Sequence, residues 1–419
     1  MRLFLLLLLL LPGFFVPASQ AADMGSGVVD ASTLHHKVMC GYQGWFTCPG
    51  DGSNIGWGHW SNGGPLTTAT GSVHVEYWPD VSEFTPEERF AAPGYTYPDG
   101  KQAELFSSHN PLTVLRHFKW MRQYGIDGVW LQRFLIGLKG GAEEYLYQER
   151  LDVLNNVRSA ALQTGRVWAI NYDTVSMPGT KIFDLLTADW KEMVDWKVTN
   201  DPGYLHEGGA PVVHIWWNDD VKTMTPQILN QLIDFFKAPG PYHACVIAGG
   251  CHNWRSLPNP EWIKAIERLD GYIPWNVGNV YKDAAGTMRA QMQSWAGDRE
   301  ELAKAGALWI PVVYPGFSCN NLQKMPLREE IVPRRKGNFL WDQFHELSKM
   351  GNIDTVFVAM FDEVDEGTAI FKVTNTPPAQ AHFLTYEGLP GDWYMRLVDL
   401  GAKMLREKQP IPSEIPIKP

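Results

Sequence analysis

The sequence predicts a (β/α)8 barrel, in which eight parallel strands alternate with eight helices, and three observations support this. Short β-branched and aromatic runs alternate along the chain with segments whose apolar residues recur at helical spacing. The longest predicted strand-to-helix loops follow strands one, seven and eight, which are neighbours in a closed barrel. Residues 355–361 are almost wholly apolar and pass directly into four acids, at the edge where parallel barrels concentrate their functional residues.

The predicted elements follow these runs in order. The strands are 37–46, 127–135, 166–173, 211–217, 243–249, 270–276, 307–315 and 355–361. The helices are 111–124, 143–164, 181–196, 225–236, 260–269, 284–305, 338–350 and 392–406. The long loops are 47–110, 316–337 and 364–391.

The N-terminus has the pattern of a secretory signal. Arg2 precedes an apolar run over residues 3–11, a Pro12-Gly13 break and small residues at 18–22. The sequence therefore predicts a signal peptide over residues 1–22, and one barrel domain over 23–419 because no linker-like composition interrupts it. We expect a secreted or periplasmic protein that does not contact the membrane after cleavage, since no later apolar run is long enough to span a bilayer.

Composition narrows the class of partner. The 419 residues carry a formal net charge of −10, which argues against a nucleic-acid partner. The chain contains 18 Trp, 15 Tyr and 19 Phe, and flat aromatic rings suit both the apolar faces of sugars and an ordinary core. We expect a monomer that acts on an oligo- or polysaccharide.

Several other chemistries lack their sequence patterns. No C-x-x-C, H-E-x-x-H or G-x-S-x-G pattern and no Gly-rich phosphate loop is present, so we expect no metal, no cofactor and no serine nucleophile. An odd number of cysteines leaves at least one unpaired. The five are Cys40, Cys48, Cys245, Cys251 and Cys319. Cys245 and Cys251 could close a small loop, or Cys245 and Cys40 could be buried thiols within strands.

The acids after strand eight are the candidate catalytic groups. Asp362, Glu363, Asp365 and Glu366 fall within five positions, and Gly367 then allows a turn. Glycosidic bonds are usually cleaved by two carboxyl groups whose surroundings set different pKa values. Glu363 and Glu366, three residues apart, are the predicted pair. The alternative is a helix cap or a solvated acidic loop.

Other predicted strand ends carry groups suited to sugar hydroxyls and sugar rings. The predicted substrate-binding residues are Trp45, Gln132, Arg133, Asp173, Trp217, Asn218, Trp275, Asn276 and Tyr314. Asn171 and Trp254 lie at similar positions. Each could instead be a buried polar or aromatic residue satisfied within the core.

Three stretches resemble known carbohydrate-active families. The segment FDEVDEGTAI, residues 361–370, resembles the strand-eight motif of glycoside hydrolase family 99, the endo-α-mannosidases, which typically reads Phe-Asn-Glu-Trp-His-Glu-Gly-Thr-x-Ile. GYQGWF near the start and YGIDGVWLQRF before the end of strand two are similar to that family and to its relative, the family 71 α-glucanases.

The resemblance implies a retaining glycosidase with defined roles for the two glutamates. Glu363 would act as a base on the sugar 2-hydroxyl, giving an anhydro-sugar intermediate, and Glu366 would be the acid/base. Asp362, Val364 and Asp365 depart from the family pattern, which leaves open mannan- or glucan-type specificity and endo action. A carbohydrate-binding barrel without catalytic activity is the alternative.

Overall fold

The computed structural model describes residues 27–61, 64–218, 223–325 and 330–419. The predicted signal peptide lies outside the described residues. Within them, eight parallel strands surround a common axis, and we number these in chain order. They are β1 Lys37–Tyr42, β2 Gly128–Phe134, β3 Val167–Asp173, β4 Ala210–Trp216, β5 Cys245–Gly250, β6 Gly271–Pro274, β7 in two segments, Leu308–Trp309 and Val312–Val313, and β8 Thr355–Val358.

The two segments of β7 close the ring. Each strand from β1 to β6 pairs with the next, and β1 also pairs with β8. Leu308 pairs with Gly271 of β6, whereas Val312 pairs with Phe357 of β8. The predicted continuous strand 307–315 is interrupted because Pro311 has no backbone N–H to donate. The prediction of a (β/α)8 barrel is confirmed.

Eight α-helices follow the strands within the described residues. They are α1 Pro111–Gln123, α2 Tyr147–Thr164, α3 Gly179–Asp195, α4 Pro226–Lys237, α5 Glu261–Ile266, α6 Trp295–Lys304, α7 Asn338–Met350 and α8 Trp393–Arg406. Three further pairs of short antiparallel strands lie outside the parallel pairing of the barrel. Phe90–Thr96 pairs with Gln102–Leu105, Val280–Lys282 pairs with Met288–Ala290, and His206–Glu207 pairs with the start of β4.

The predicted helix over 284–305 is wrong in its first half. Asp283 accepts hydrogen bonds from the backbone of Ala285 and Thr287 through Oδ1, at 3.0 and 2.9 Å. This side-chain-capped turn competes with a helical start, as Asp commonly does. The chain therefore turns back as a hairpin, and α6 begins only at Trp295.

Ring contacts identify which side chains face the barrel interior. Trp130 of β2 lies 5.3 Å from His214 of β4 and 6.4 Å from Phe357 of β8, measured between ring centroids. These strands are not neighbours, so their side chains meet across the interior. Because side chains alternate along a strand, Gln132 shares the inward face with Trp130, and Arg133 faces the helices.

We expect Gly128→Ala to destabilise the barrel at the β2–β3 contact. A Cβ atom at this position would lie 1.9 Å from the carbonyl oxygen of Val167, so backbone would have to move. The expected loss in the free energy of unfolding is about 1–3 kcal/mol, as for other overpacked sites. Urea denaturation measures it, with Gly27→Ala as the control because a Cβ there meets nothing within 4 Å. Equal midpoints for the two variants would contradict this account.

Candidate active site

The acids that follow β8 are enclosed by the protein. Asp362, Glu363 and Asp365 are 0%, 6% and 1% exposed, and Glu366 is partly exposed. Gly367 has φ of 63°, and a Cβ on it would lie 2.9 Å from the backbone nitrogen of Ser318. Only glycine fits this left-handed, closely packed turn. A solvated acidic loop does not describe this segment.

Asp362 joins the carboxyl end of β8 to that of β1. Its two carboxylate oxygens accept hydrogen bonds from the backbone N–H groups of Gln43 and Gly44, at 2.8 and 2.9 Å. Burial raises the pKa of Asp362 to about 7, although these two bonds oppose the shift. The side chain is fully occupied by backbone, so its role is to fix the edge of the barrel.

Glu363 lies beside Gln43 and has a donor on each carboxylate oxygen. The Gln43 side-chain amide donates to Oε1, and the Thr368 hydroxyl donates to Oε2 at 2.5 Å. Burial raises the pKa of Glu363 well above its usual value, and the charges of Glu366 and Asp365 add to this. Both donors favour the ionised form and so oppose this rise, but burial outweighs them.

Glu366 is the more accessible partner of Glu363. Burial, followed by the charge of Asp365, raises the pKa of Glu366 to about 7. Asp173 lies at the end of β3. Burial and, to a smaller extent, the charge of Glu366 raise the pKa of Asp173 to about 8. Carboxyl groups from β3 and β8 therefore converge at one edge of the barrel, and a proton is readily held there near neutral pH.

Asp365 connects the acid cluster to the long loop after β1. Its Oδ2 lies 3.2 Å from Nδ1 of His59. The His59 ring stacks on Trp45, with centroids 3.7 Å apart and planes at 7°. Burial and the Arg150 cation lower the pKa of His59, so the ring is neutral at pH 7. Trp45 is thus held next to the acids through His59.

A cavity of about 720 Å³ opens beside this stack, a size that holds a drug-sized ligand. Its lining includes aromatic and charged side chains from the loops after β1 and β2 and from the first turn of α2: Trp45, Trp57, His59, Glu143, Tyr145 and Arg150. The cavity adjoins the acid cluster through His59.

Several predicted binding residues face the barrel interior. Gln132 pairs in register with Asn171, which shares the inward face with Asp173 two residues later. Gln132 is 8% exposed, and its Oε1 has no hydrogen-bond partner among the described residues. Asn276 is 2% exposed and lies beyond the end of β6. Trp275 packs on Phe357, with centroids 5.5 Å apart. Unpaired buried amide atoms are costly, and a sugar hydroxyl is one group that satisfies them.

Other predicted residues are directed elsewhere. Arg133 forms a buried two-point ion pair with Asp189 of α3, at 2.7 and 2.6 Å. Trp217 stacks on Trp262 of α5, with centroids 5.6 Å apart, and Tyr314 packs on Phe339 of α7 at 5.0 Å. These three side chains lie on the helix side of the barrel. Trp254 is fully buried, and Asn218 is exposed at the end of β4.

Sequence reasoning missed three residues of this site. Gln43 bonds Glu363, His59 contacts Asp365, and Trp216 rather than Trp217 is on the inward face, where it packs 5.4 Å from Trp275. The two-residue alternation of β4, counted from His214, identifies Trp216. Nothing local to His59 in the sequence indicates its contact, because 306 residues separate it from Asp365.

Metal binding, the Cys245–Cys251 disulfide and membrane-spanning helices can each be checked against the described residues. Among them, no group of three or more His, Cys, Asp or Glu side chains could hold a metal ion. Cys245 is a free, buried thiol, so the loop-closing disulfide with Cys251 is not formed. In the same part of the chain, no helix has both the length and the apolar character needed to cross a membrane.

Fold and site together define a (β/α)8 barrel with a buried carboxyl cluster at its carboxyl edge. The fold is similar to that of the glycoside hydrolase family 99 endo-α-mannosidase from Bacteroides thetaiotaomicron, with a TM-score of 0.65 and 15% identity over 90% of this chain and 99% of that one. A second structure of that enzyme, in complex with bis-tris propane, gives 0.62 and 15% over 90% and 98%. The resemblance inferred from the strand-eight motif is confirmed for the fold. No protein-family model and no curated protein sequence matches the chain.

We expect the acid cluster to make the native protein less stable as pH rises. The pKa values of Asp362, Asp365 and Glu366 are raised to about 7 and that of Asp173 to about 8, from ordinary values of 3.8 for Asp and 4.5 for Glu. The native state therefore binds more protons than the unfolded state between these limits, and the free energy of unfolding falls as pH rises through them.

Thermal denaturation between about pH 4 and 8 measures this slope, since that window spans the shifted pKa values. Asp365→Asn should flatten the slope, because it removes one titrating group and one charge beside Glu366. Glu346→Gln, on the exposed part of α7, should leave the slope as in wild type. A wild-type stability that rises with pH over this range would contradict the expectation.

Proposed function

We propose that this protein is a retaining glycoside hydrolase that cleaves an α-linked glycan of mannan or glucan type, with endo action. Glu363 and Glu366 are its catalytic pair. The observation that carries the proposal is the pairing of two carboxyls in one turn at the carboxyl edge of the barrel with unlike surroundings. Glu363 has two side-chain donors, whereas Glu366 is partly exposed and has a pKa of about 7. Unlike surroundings are what separate a base from an acid.

The roles of the two glutamates in this reaction are those that the family resemblance implies. On a mannan-type substrate, whose O2 lies on the opposite face of the ring from the α-linked leaving oxygen, ionised Glu363 takes the proton of the sugar 2-hydroxyl, and O2 attacks the anomeric carbon. Protonated Glu366 gives its proton to the glycosidic oxygen as the bond to the leaving sugar breaks. Water, deprotonated by Glu366, then opens the anhydro-sugar, and Glu363 returns its proton to O2. Two displacements at the anomeric carbon retain its configuration.

The surroundings of the pair support a neutral glycan as substrate. Asp173, Asp365, Glu363 and Glu366 line one edge, and anionic sugars would meet like charge there. The unpaired amide oxygen of Gln132, on the inward face of β2, offers a hydrogen bond to a hydroxyl. Trp45 and Trp275 supply aromatic surfaces at the cleft, and the N-terminal sequence supports a location outside the cytoplasm.

Product release from α- and β-linked oligosaccharides tests the proposal. Wild type should release a retained anomer from an α-linked mannan or glucan, read by NMR. Glu363→Gln and Glu366→Gln should each lower kcat by about 10²–10⁴-fold, the usual contribution of a general acid or base. Glu346→Gln, an exposed carboxyl on α7, is the matched control and should retain wild-type activity.

Three results would overturn the proposal. Full activity of both variants would exclude the glutamate pair, and an inverted product would exclude the anhydro-sugar route. If wild type binds these glycans without cleaving any, the barrel is a carbohydrate-binding protein. Glu363→Gln would then leave no turnover to lose.

Bis-tris propane should also bind at the acid cluster. The similar endo-α-mannosidase was solved in complex with this amine, and the carboxyls here suit a polyhydroxylated cation. We expect it to raise the melting temperature of wild type relative to a HEPES buffer of equal pH and ionic strength. The Asp365→Asn/Glu366→Gln double variant should lose this shift, whereas Glu346→Gln should keep it. An equal shift in all three proteins would place the amine elsewhere.

A further inference from the structure

Arg334, in the segment between β7 and α7, lies behind the turn that carries the acids. It is 1% exposed, and its Nη2 donates to the carbonyl oxygens of Gly367 and Ala369, both at 2.7 Å. Gly316, just after β7, leaves room for its aliphatic stem, since a Cβ there would lie 2.5 Å from Arg334 Cγ. One side chain therefore holds the backbone at two points immediately after Glu366.

The same turn is closed on itself through Glu363. The carbonyl oxygen of Glu363 accepts hydrogen bonds from the backbone of Thr368 and Ala369, at 3.1 and 3.0 Å. Ala369 is thus bonded to Glu363 through its nitrogen and to Arg334 through its oxygen. A shift of Ala369 would move Glu363 as well as the Thr368 hydroxyl that bonds its carboxylate.

Three tyrosine rings hold the guanidinium in place. The Arg334 Cζ atom lies 4.5 Å from the ring centroid of Tyr77, 5.0 Å from that of Tyr386 and 4.5 Å from that of Tyr394. Glu330 is 3.6 Å from Arg334 Nε and accepts a bond from the Arg334 backbone at 2.7 Å. A planar guanidinium can stack on rings and donate to two carbonyls together, whereas a lysine ammonium cannot.

We propose that Arg334 is a positioning residue for both catalytic carboxyls. It fixes the backbone of residues 363–369 and so sets the directions of the Glu363 and Glu366 side chains. Its side chain bonds the backbone of the turn and not the carboxyl groups of Glu363 and Glu366. Its effect on turnover rests on the proposed glycosidase function, whereas its effect on the turn does not.

Hydrogen–deuterium exchange of the full chain, followed by mass spectrometry, tests the effect on the turn without any substrate. Arg334→Met should raise the exchange rate of peptides covering residues 362–371 by about tenfold or more while leaving those of α1 unchanged, because only local opening is expected. Arg334→Lys, which keeps the charge and the fold more readily, should show the same local change to a smaller degree. Arg158→Met, which removes a guanidinium from a surface ion pair with Asp201, is the control and should leave the turn as in wild type.

Kinetics then test the effect on the reaction. Arg334→Met should lower kcat by about 100-fold with KM within about twofold, as a misplaced catalytic group does, and Arg334→Lys should recover only part of this. Unchanged exchange at 362–371, or equally faster exchange throughout the chain, would overturn the positioning role. Absence of any wild-type activity would overturn the proposed function and leave the exchange result to decide the role of Arg334.

Discussion

The site depends on one buried carboxylate, that of Asp362, which binds the backbone of Gln43 and Gly44. Hydrogen bonds from N–H groups to a carboxylate are among the stronger ones in proteins, and here two of them fasten the end of β8 to the end of β1. Gln43 is one of the two residues that Asp362 binds, and Glu363 directly follows Asp362 in the chain. This junction therefore brings the side chains of Gln43 and Glu363 together. The geometry of the catalytic candidate is thus a consequence of how the ring is closed at its carboxyl edge.

The carboxyl groups of the cleft hold protons near neutral pH instead of being neutralised by ion pairs with basic side chains. Two buried guanidinium groups are engaged away from it, Arg133 with Asp189 on the helix side and Arg334 with carbonyls and tyrosine rings. Burial therefore acts on the carboxyls with little compensation, which moves their pKa values toward neutrality. A cluster that exchanges protons near neutral pH suits a reaction in which one carboxyl must gain a proton while its neighbour loses one.

Much of the fold was predictable because apolar residues recur at helical spacing in the helices and form short continuous runs in the barrel strands. The strand β8 was identified by an apolar run that ends in acids. The position of Glu363 and Glu366 at the carboxyl edge of the barrel was predictable because they follow directly from that strand, and their catalytic role stays a prediction. Arg133 and Trp217 were assigned to the cleft from their positions at strand ends, but the alternation of side chains directs them to the helices. His59 could not be found, since the fold alone brings its loop to Asp365. The helix predicted over 284–305 failed because a local Asp283 turn outweighed the apolar spacing.

Because β7 is interrupted, the number of paired residues between neighbouring strands differs around the barrel. Its two segments hold β6 and β8 through two residue pairs each, fewer than any other neighbouring barrel strands share in the described residues. The barrel should therefore part first along this seam when it is heated or diluted into denaturant. Parting there would bare the edges of β6 and β8, and an unpaired strand edge is a template for pairing with another chain. Aggregation of this protein should begin at the seventh strand, close to the residues that hold the acidic turn in place.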